Sequence, residues 1–247
     1  MKTTKIEVNY LQEPNWKLTR SIYKKLSEEF HILTGAYGIV LSERQKLMLD
    51  HLILGIDEVD KSIDEIPSFE EREAVTQSML NYLGNDEVHW KNPLQTKSLS
   101  SKMEVLKKIT QELKIENRFC LAVSEIFKYT EQKRHSLKEE ELVKLVMLEG
   151  KATAELPLSV MSVESNHSFG KFFIQLCTLM GIADLIVDAR SDYKSNYIAL
   201  RPKFGLYVKL NIILIKEGAK IFWNFPRKIS FLFYCIRFSL LLITSKD

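Results

Sequence analysis

LGIDEVDKSIDEIP, residues Leu54 to Pro67, carries two patterns at once. Ile56, Val59, Ile63 and Ile66 recur at threes and fours, the spacing of one face of an α-helix. Asp57, Asp60 and Asp64 recur at the same spacing. At about 3.6 residues per turn they fall within a sector of about 60° beside the apolar seam. The stretch therefore predicts a helix from about Ser42, with Glu43 in its first turn, to Ile66, where Pro67 stops it. Its carboxylates sit at the margin of the buried face and repel one another unless a cation stands among them. Two readings are open: a solvated acidic face, helped by Lys61 and Glu58, or half of a metal site.

Outward from this stretch the helical pattern continues. The chain has 247 residues with 9 Gly and 6 Pro, few for the length, which favours long helices with short connections over a turn-rich β fold. Helices are predicted over Asn15–Leu33, ending at the TGAYG break, and over Ser68–Leu83, where Ser68 and Glu71 read as a capping box. Two more are predicted over Leu99–Leu113 and Arg118–Lys133. Ser136 with Glu139 reads as a second capping box, opening a helix that Pro157 would kink or end. A long apolar helix follows, HSFGKFFIQLCTLMGIADLIVDARSDYKSN, and then helical pattern over Tyr207–Phe225. Residues 1–14 are a polar lead. The expectation is one all-α domain spanning 1–247, a bundle of roughly eight to ten helices.

Composition narrows the function classes. Hydrophobic content of 45% and charged content of 27% are those of a soluble globular protein, and a net charge of +3 gives no ground for a nucleic-acid partner. Cys120, Cys177 and Cys235 form no CxxC pair, and the five histidines form no zinc spacing, so reduced thiols in a cytoplasmic protein are expected. MKTTKIEVNY has no apolar signal core. ISFLFYCIRFSLLLIT, Ile229 to Thr244, is shorter than the ~20 residues of a spanning helix and is interrupted by Arg237. From Arg201 to Asp247, nine Lys/Arg face two Asp/Glu, and aromatic residues interleave with them. That basic, aromatic C-terminal region (203–247) reads either as final core helices with basic ends or as a peripheral membrane contact.

A second acidic stripe lies in GIADLIVDARSDYKSN, residues 181–196. Asp188, Asp192 and Asn196 step by four, with Asp184 a turn earlier, at the end of a helix that is otherwise apolar. Two acid-rich helices more than 100 residues apart can face each other across a bundle. Oxygen ligands at that density suit Mg²⁺, which keeps several waters and is shared with phosphate oxygens. A diphosphate neutralised in this way is a good leaving group. An apolar remainder of the cavity would suit a hydrocarbon cation and exclude water.

These residues resemble the class I isoprenoid (terpenoid) synthases. Gly181, Ala183, Ile186, Asp188, Asp192 and Tyr193 match the second aspartate-rich region of trans-prenyltransferases, and Asp188, Asp192 and Asn196 follow the spacing of squalene and phytoene synthases. GIDEVDKSIDE is similar to the first aspartate-rich region, with Asp57 leading. EGKATAEL, Glu149 to Leu156, resembles the upstream stretch whose lysine touches the diphosphate, here Lys151. The resemblance covers roughly Ser21 to Pro202 in order and spacing, through short motifs.

The resemblance implies an all-α class I terpenoid synthase fold, a prenyl diphosphate substrate and about three Mg²⁺ ions. It implies that Asp57 and Asp188 are the leading catalytic carboxylates. Asp57, Asp60 and Asp64 would hold metal from one side, and Asp188, Asp192 and Asn196 from the other. Lys151, Arg190 and Lys194 would grip the diphosphate, and a homodimer is the state common in related families. The chain departs from the family pattern: Glu58 follows Asp57, Lys61 holds the next place, Ala189 stands where elongating enzymes carry a second Asp, and only Arg72 follows the first region as an arginine. The departures favour one substrate over two. The expected function is a terpene synthase that ionises one prenyl diphosphate and cyclises or deprotonates the cation. The alternatives are a prenyltransferase of head-to-head or elongating type and a non-catalytic helical protein.

Overall fold

The computed structural model describes residues 10–12, 14, 21–85 and 97–224. Among them are eight α-helices and no strand: α1 Ser21–Ala36, α2 Glu43–Asp64, α3 Phe69–Gly84, α4 Lys97–Leu113, α5 Glu116–Lys133, α6 Glu139–Val160, α7 Ser168–Lys194 and α8 Phe204–Asn224. The architecture is all-α. The C-terminal stretch Ile229–Thr244 lies outside the described residues.

Helix starts are set by local side chains. At α2 the Ser42 hydroxyl accepts from the Gln45 N–H at 3.2 Å while the Gln45 side-chain oxygen accepts the Ser42 N–H at 3.1 Å, a complete capping box. At α3 the Ser68 hydroxyl accepts from the Glu71 N–H at 3.3 Å and donates to Glu70, while the second half of the box, the Glu71 carboxylate on the Ser68 N–H, is not made. The expected Ser136–Glu139 box is not formed. Lys138 is the N-cap of α6, and the Ser136 hydroxyl bonds the Lys138 carbonyl and Glu141 instead. Pro157 does not end α6, which continues to Val160.

Four helices stop in the same way, with a left-handed residue just past the end and a backbone bond reaching back to the last turn. Gly38 (φ 73°) ends α1, with the Ile39 N–H on Thr34 O at 3.1 Å. Lys114 and Ser162 do the same for α4 and α6. At α7 the residue is Asn196 (φ 61°), with the Tyr197 N–H on Asp192 O at 2.8 Å. Asn is the residue other than Gly that tolerates this conformation best, because its short amide bonds locally. The four-step run Asp188–Asp192–Asn196 is therefore broken: Asn196 lies past the end of the helix.

Helix α6 packs along α5 on one side and α7 on the other, with α2 crossing it, α8 covering α7, α4 lying on α2 and α3 on α5. Helices α6 and α7 approach so closely at Gly150 that a Cβ there would lie 2.8 Å from the Cys177 carbonyl oxygen and the Thr178 Cα. One apolar cluster joins all eight helices through Leu33, Leu52, Met79, Met103, Phe119, Leu156, Phe169 and Ile221. A second joins α6, α7 and α8 through Leu142, Val146, Ile182, Leu185, Leu206 and Leu210. Ala189 belongs to the second cluster with 0% exposure. A second aspartate at this place would carry its charge into that apolar cluster. Helix α7 is long and apolar enough to cross a membrane by length and composition, but it lies between α6 and α8 and carries the acidic stripe.

Candidate functional site

Helices α2, α5, α6 and α7 and the turn after α7 enclose a cleft of about 530 Å³. Asp60 and Asp64 enter from α2, Glu149 from α6, and Asp184 and Asp192 from α7. Lys133 and Arg134, at the end of α5, supply positive charge, and Tyr197 closes one side. Five carboxylates and two cations thus line the cleft, an excess of three negative charges when all are ionised.

The carboxylates sense one another across this space. Burial, then Asp64 and Glu149, push Asp60 up to about 6, against the opposing pull of Lys133. Burial, then Asp184 and Asp188, push Asp192 up to about 6, and Asp64 on the facing helix adds to the shift. Asp184 is raised by burial and by Asp188 and Glu149. Asp64 is raised by burial despite the opposing Arg134, Lys133 and Arg72. Asp60 and Asp184 are exposed by accessible area yet crowded by protein on the cleft's flanks. The crowding sets the direction of their shifts, and the open side screens its size.

The two cations are held by acids. Lys133 pairs with Glu149, whose other oxygen accepts the Thr130 hydroxyl at 2.6 Å. Arg134 pairs with Asp64 at 2.6 Å, and its guanidinium lies 4.9 Å from the centre of the Tyr197 ring. The Arg134 side chain is 9% exposed. Its Nε–H is buried without a hydrogen bond: Glu131 Oε1 stands 3.4 Å away, near enough for charge attraction but not in bonding geometry.

Several residues singled out by the sequence lie elsewhere. Asp57 pairs with Lys61 along its own helix at 2.5 Å and does not line the cleft. Asp188 is half-buried and acts on the cleft through its field at Asp184 and Asp192. Asn196 is the stop of α7. Lys151, Arg190 and Lys194 are exposed, and none of them lines the cleft. Arg72 is buried behind it, bidentate to Glu131 at 2.7 and 2.8 Å and donating to the carbonyls of Ile66 and Pro67. The cations that do line the cleft went unnoticed in the sequence. EQKRH, residues 131–135, has only the signature of basic residues in a last helical turn, which usually answer the helix dipole.

Two apolar recesses open from the same region. One, about 100 Å³, is lined by Val59, Met79, Met103, Leu106 and Phe119 and shares Asp60, Asp64 and Thr130 with the cleft. The other, about 180 Å³, is lined by Phe30, Leu33, Leu52 and Phe173 and shares Thr153, Cys177 and Met180 with it. Dry cavities of about 150 Å³ hold a benzene-sized molecule. A larger groove, about 610 Å³, lies between α3 and α5, lined by Gln77, Ser124, Lys128 and His135 among others. Its three carboxylates, Glu73, Glu131 and Glu141, come from α3, α5 and α6, and Glu131 is taken by Arg72, so the meeting of the α2 and α7 stripes rather than size marks the candidate site.

The donors in the cleft are carboxylate oxygens, which suit a hard cation. Among the described residues no three His, Cys, Asp or Glu side chains are grouped closely enough to hold an ion by themselves. Mg²⁺ does not require that, since it is bound by one or two carboxylates with waters and phosphate oxygens completing its octahedron. Asp60 and Asp192, pushed up to about 6 by burial and then by their neighbours, are groups whose repulsion a divalent cation would relieve. The residues present fit the ion. The chain matches no family model, no curated protein and no solved structure.

Proposed function

We propose that the cleft ionises a prenyl diphosphate with the help of Mg²⁺. The observation that carries this reading is the meeting of carboxylates from α2 and α7 in one cleft with apolar recesses beside it. In this reading Asp60, Asp184 and Asp192 hold the metal. Bound Mg²⁺ supplies neutralising charge to the departing diphosphate. The bond between the first carbon of the prenyl chain and the diphosphate oxygen breaks, and the electron pair leaves with the oxygen. The recesses take the hydrocarbon, keep water from the cation, and set the aromatic side chains Phe119 and Phe173 along its path. Loss of a proton to the released diphosphate, directly or after closure of a ring, then ends the reaction, as in a terpene synthase.

The presence of two recesses rather than one favours a second reading, in which a second prenyl group accepts the cation as in a prenyltransferase. One experiment separates them. Geranyl, farnesyl and geranylgeranyl diphosphate are incubated with the protein singly and in pairs, with and without Mg²⁺, and released diphosphate and hydrocarbon are measured. Metal-dependent release from one substrate with a hydrocarbon product supports the synthase. Release only when two substrates combine supports the transferase. No release from any of them removes both.

A further inference from the structure

Lys133 and Arg134 are the only cations that line the cleft among the described residues, and both are occupied by carboxylates of the same cleft. Arg134 is nine-tenths buried, and its Nε–H stands 3.4 Å from Glu131 Oε1 without a hydrogen bond. A buried guanidinium with an unused donor is costly unless a further acceptor arrives. We infer that Lys133 and Arg134 form the anion seat of the cleft, held in reserve by Glu149 and Asp64, and that the two ion pairs couple divalent-cation binding to diphosphate binding. The inference rests on the reading of the cleft as a diphosphate site and assigns the seat to residues that the sequence motifs pass over.

The coupling follows from charge. In the resting cleft each cation spends its attraction on a carboxylate, and a diphosphate entering alone meets an excess of negative charge. A divalent ion held by Asp60, Asp184 and Asp192 also attracts the neighbouring Glu149 and Asp64. As it draws charge from Glu149 and Asp64, the donors of Lys133 and Arg134 turn to the incoming anion. Arg134 is suited to this by its fork, which binds two phosphate oxygens at once, while Tyr197 holds the guanidinium plane from one side. By linkage each ligand strengthens the other by the same factor. Neither Glu149 nor Asp64 needs to leave the cleft; a change of partner over one hydrogen-bond length is enough.

Titration calorimetry of the full chain with inorganic diphosphate tests this, first in EDTA and then in Mg²⁺. Without metal, Glu149→Gln and Asp64→Asn each free a cation and are expected to bind diphosphate about tenfold more tightly than the unaltered protein. With Mg²⁺, Lys133→Met and Arg134→Met are expected to lose about tenfold or more. Diphosphate complexes Mg²⁺ in solution equally for every variant, so the differences between variants carry the result. A thermal melt checks the fold, and if Glu149→Gln unfolds, Asp64→Asn decides alone. Metal-free affinity no higher than that of the unaltered protein in the folded carboxylate variants overturns the coupling. Unchanged affinity in both cation variants overturns the seat. If the binding pattern holds but no prenyl diphosphate is ionised, the seat stands and the proposed reaction falls. If ionisation proceeds undiminished in both cation variants, the reaction stands and the seat falls.

Discussion

Arg72–Glu131 and Arg134–Asp64 are both arginine–carboxylate pairs with a partner on or just after α5, yet they differ in what surrounds them. The first is closed. Arg72 and Glu131 are 6% and 7% exposed, the guanidinium fork meets both carboxylate oxygens, and the remaining donors reach two backbone carbonyls at the α2–α3 connection. The charges of the two partners cancel, with Arg134 Nε also 3.4 Å from Glu131 Oε1, and the pair ties α3 to α5. The second is open. Asp64 faces the cleft, Arg134 keeps an unused donor, and three more carboxylates than cations line the space. The same residue types make structure where their charges cancel and a candidate site where they do not.

The largest effect that can break this comparison falls on the closed pair. Glu131→Gln strands a buried guanidinium charge and is expected to cost about 3–5 kcal/mol of unfolding free energy, measured by urea denaturation. A loss below about 1 kcal/mol would mean that the pair is not the tie described. The open network answers differently. Asp60→Asn and Asp192→Asn are each expected to reduce metal-dependent diphosphate release by at least about 100-fold, near 2.7 kcal/mol of barrier, while the fold survives. Turnover assays paired with thermal melts check both parts.

Smaller effects sharpen the boundaries of the site. Asn196→Ala places a Cβ-bearing residue without a bonding amide in the left-handed position and is expected to cost about 1 kcal/mol, whereas Asn196→Gly leaves stability and metal affinity intact. Loss of metal binding in Asn196→Gly would restore this residue as a ligand. The pH dependence is weaker and has a definite sign. Burial and repulsion hold Asp60 near 6, above its unfolded value, so the folded chain binds more protons than the unfolded one between about pH 4 and 6. Stability from this group therefore falls as pH rises through that window. Asp60→Asn should melt above the unaltered protein at pH 7.5 and converge on it near pH 4, and Mg²⁺ should narrow the gap at pH 7.5. Least affected is Lys151→Met, expected to stay within about 0.5 kcal/mol in stability with diphosphate affinity unchanged.

Much of the fold is legible in the sequence because the apolar period is strong and breakers are few. The stretch before Pro67, the capping serine at 68 and the break at Gly38 all mark real helix ends. The Ser136–Glu139 match misleads because the same motif can satisfy a loop, and the Ser42–Gln45 box is less evident because Glu43, two places before Gln45, already supplies an acid in the first turn. The acidic stripes are legible as spacing, but spacing does not distinguish a cleft from a margin. Asp57 shares the sector of Asp60 and Asp64 and still turns to Lys61 on its own helix. Asn196 continues a four-residue step beyond the point where the backbone has left the helix. Lys133 and Arg134 carry no motif, since their value comes from where α5 ends relative to α2 and α7, a tertiary fact.

The most direct test asks whether the two stripes serve one site. Mn²⁺ binding followed by electron paramagnetic resonance can be compared among the unaltered chain, Asp60→Asn, Asp192→Asn and the double variant. If carboxylates from α2 and α7 share an ion, each single substitution weakens binding and the double loses no more than the weaker single. Additive losses, or a single variant that binds Mn²⁺ undiminished, would contradict the account.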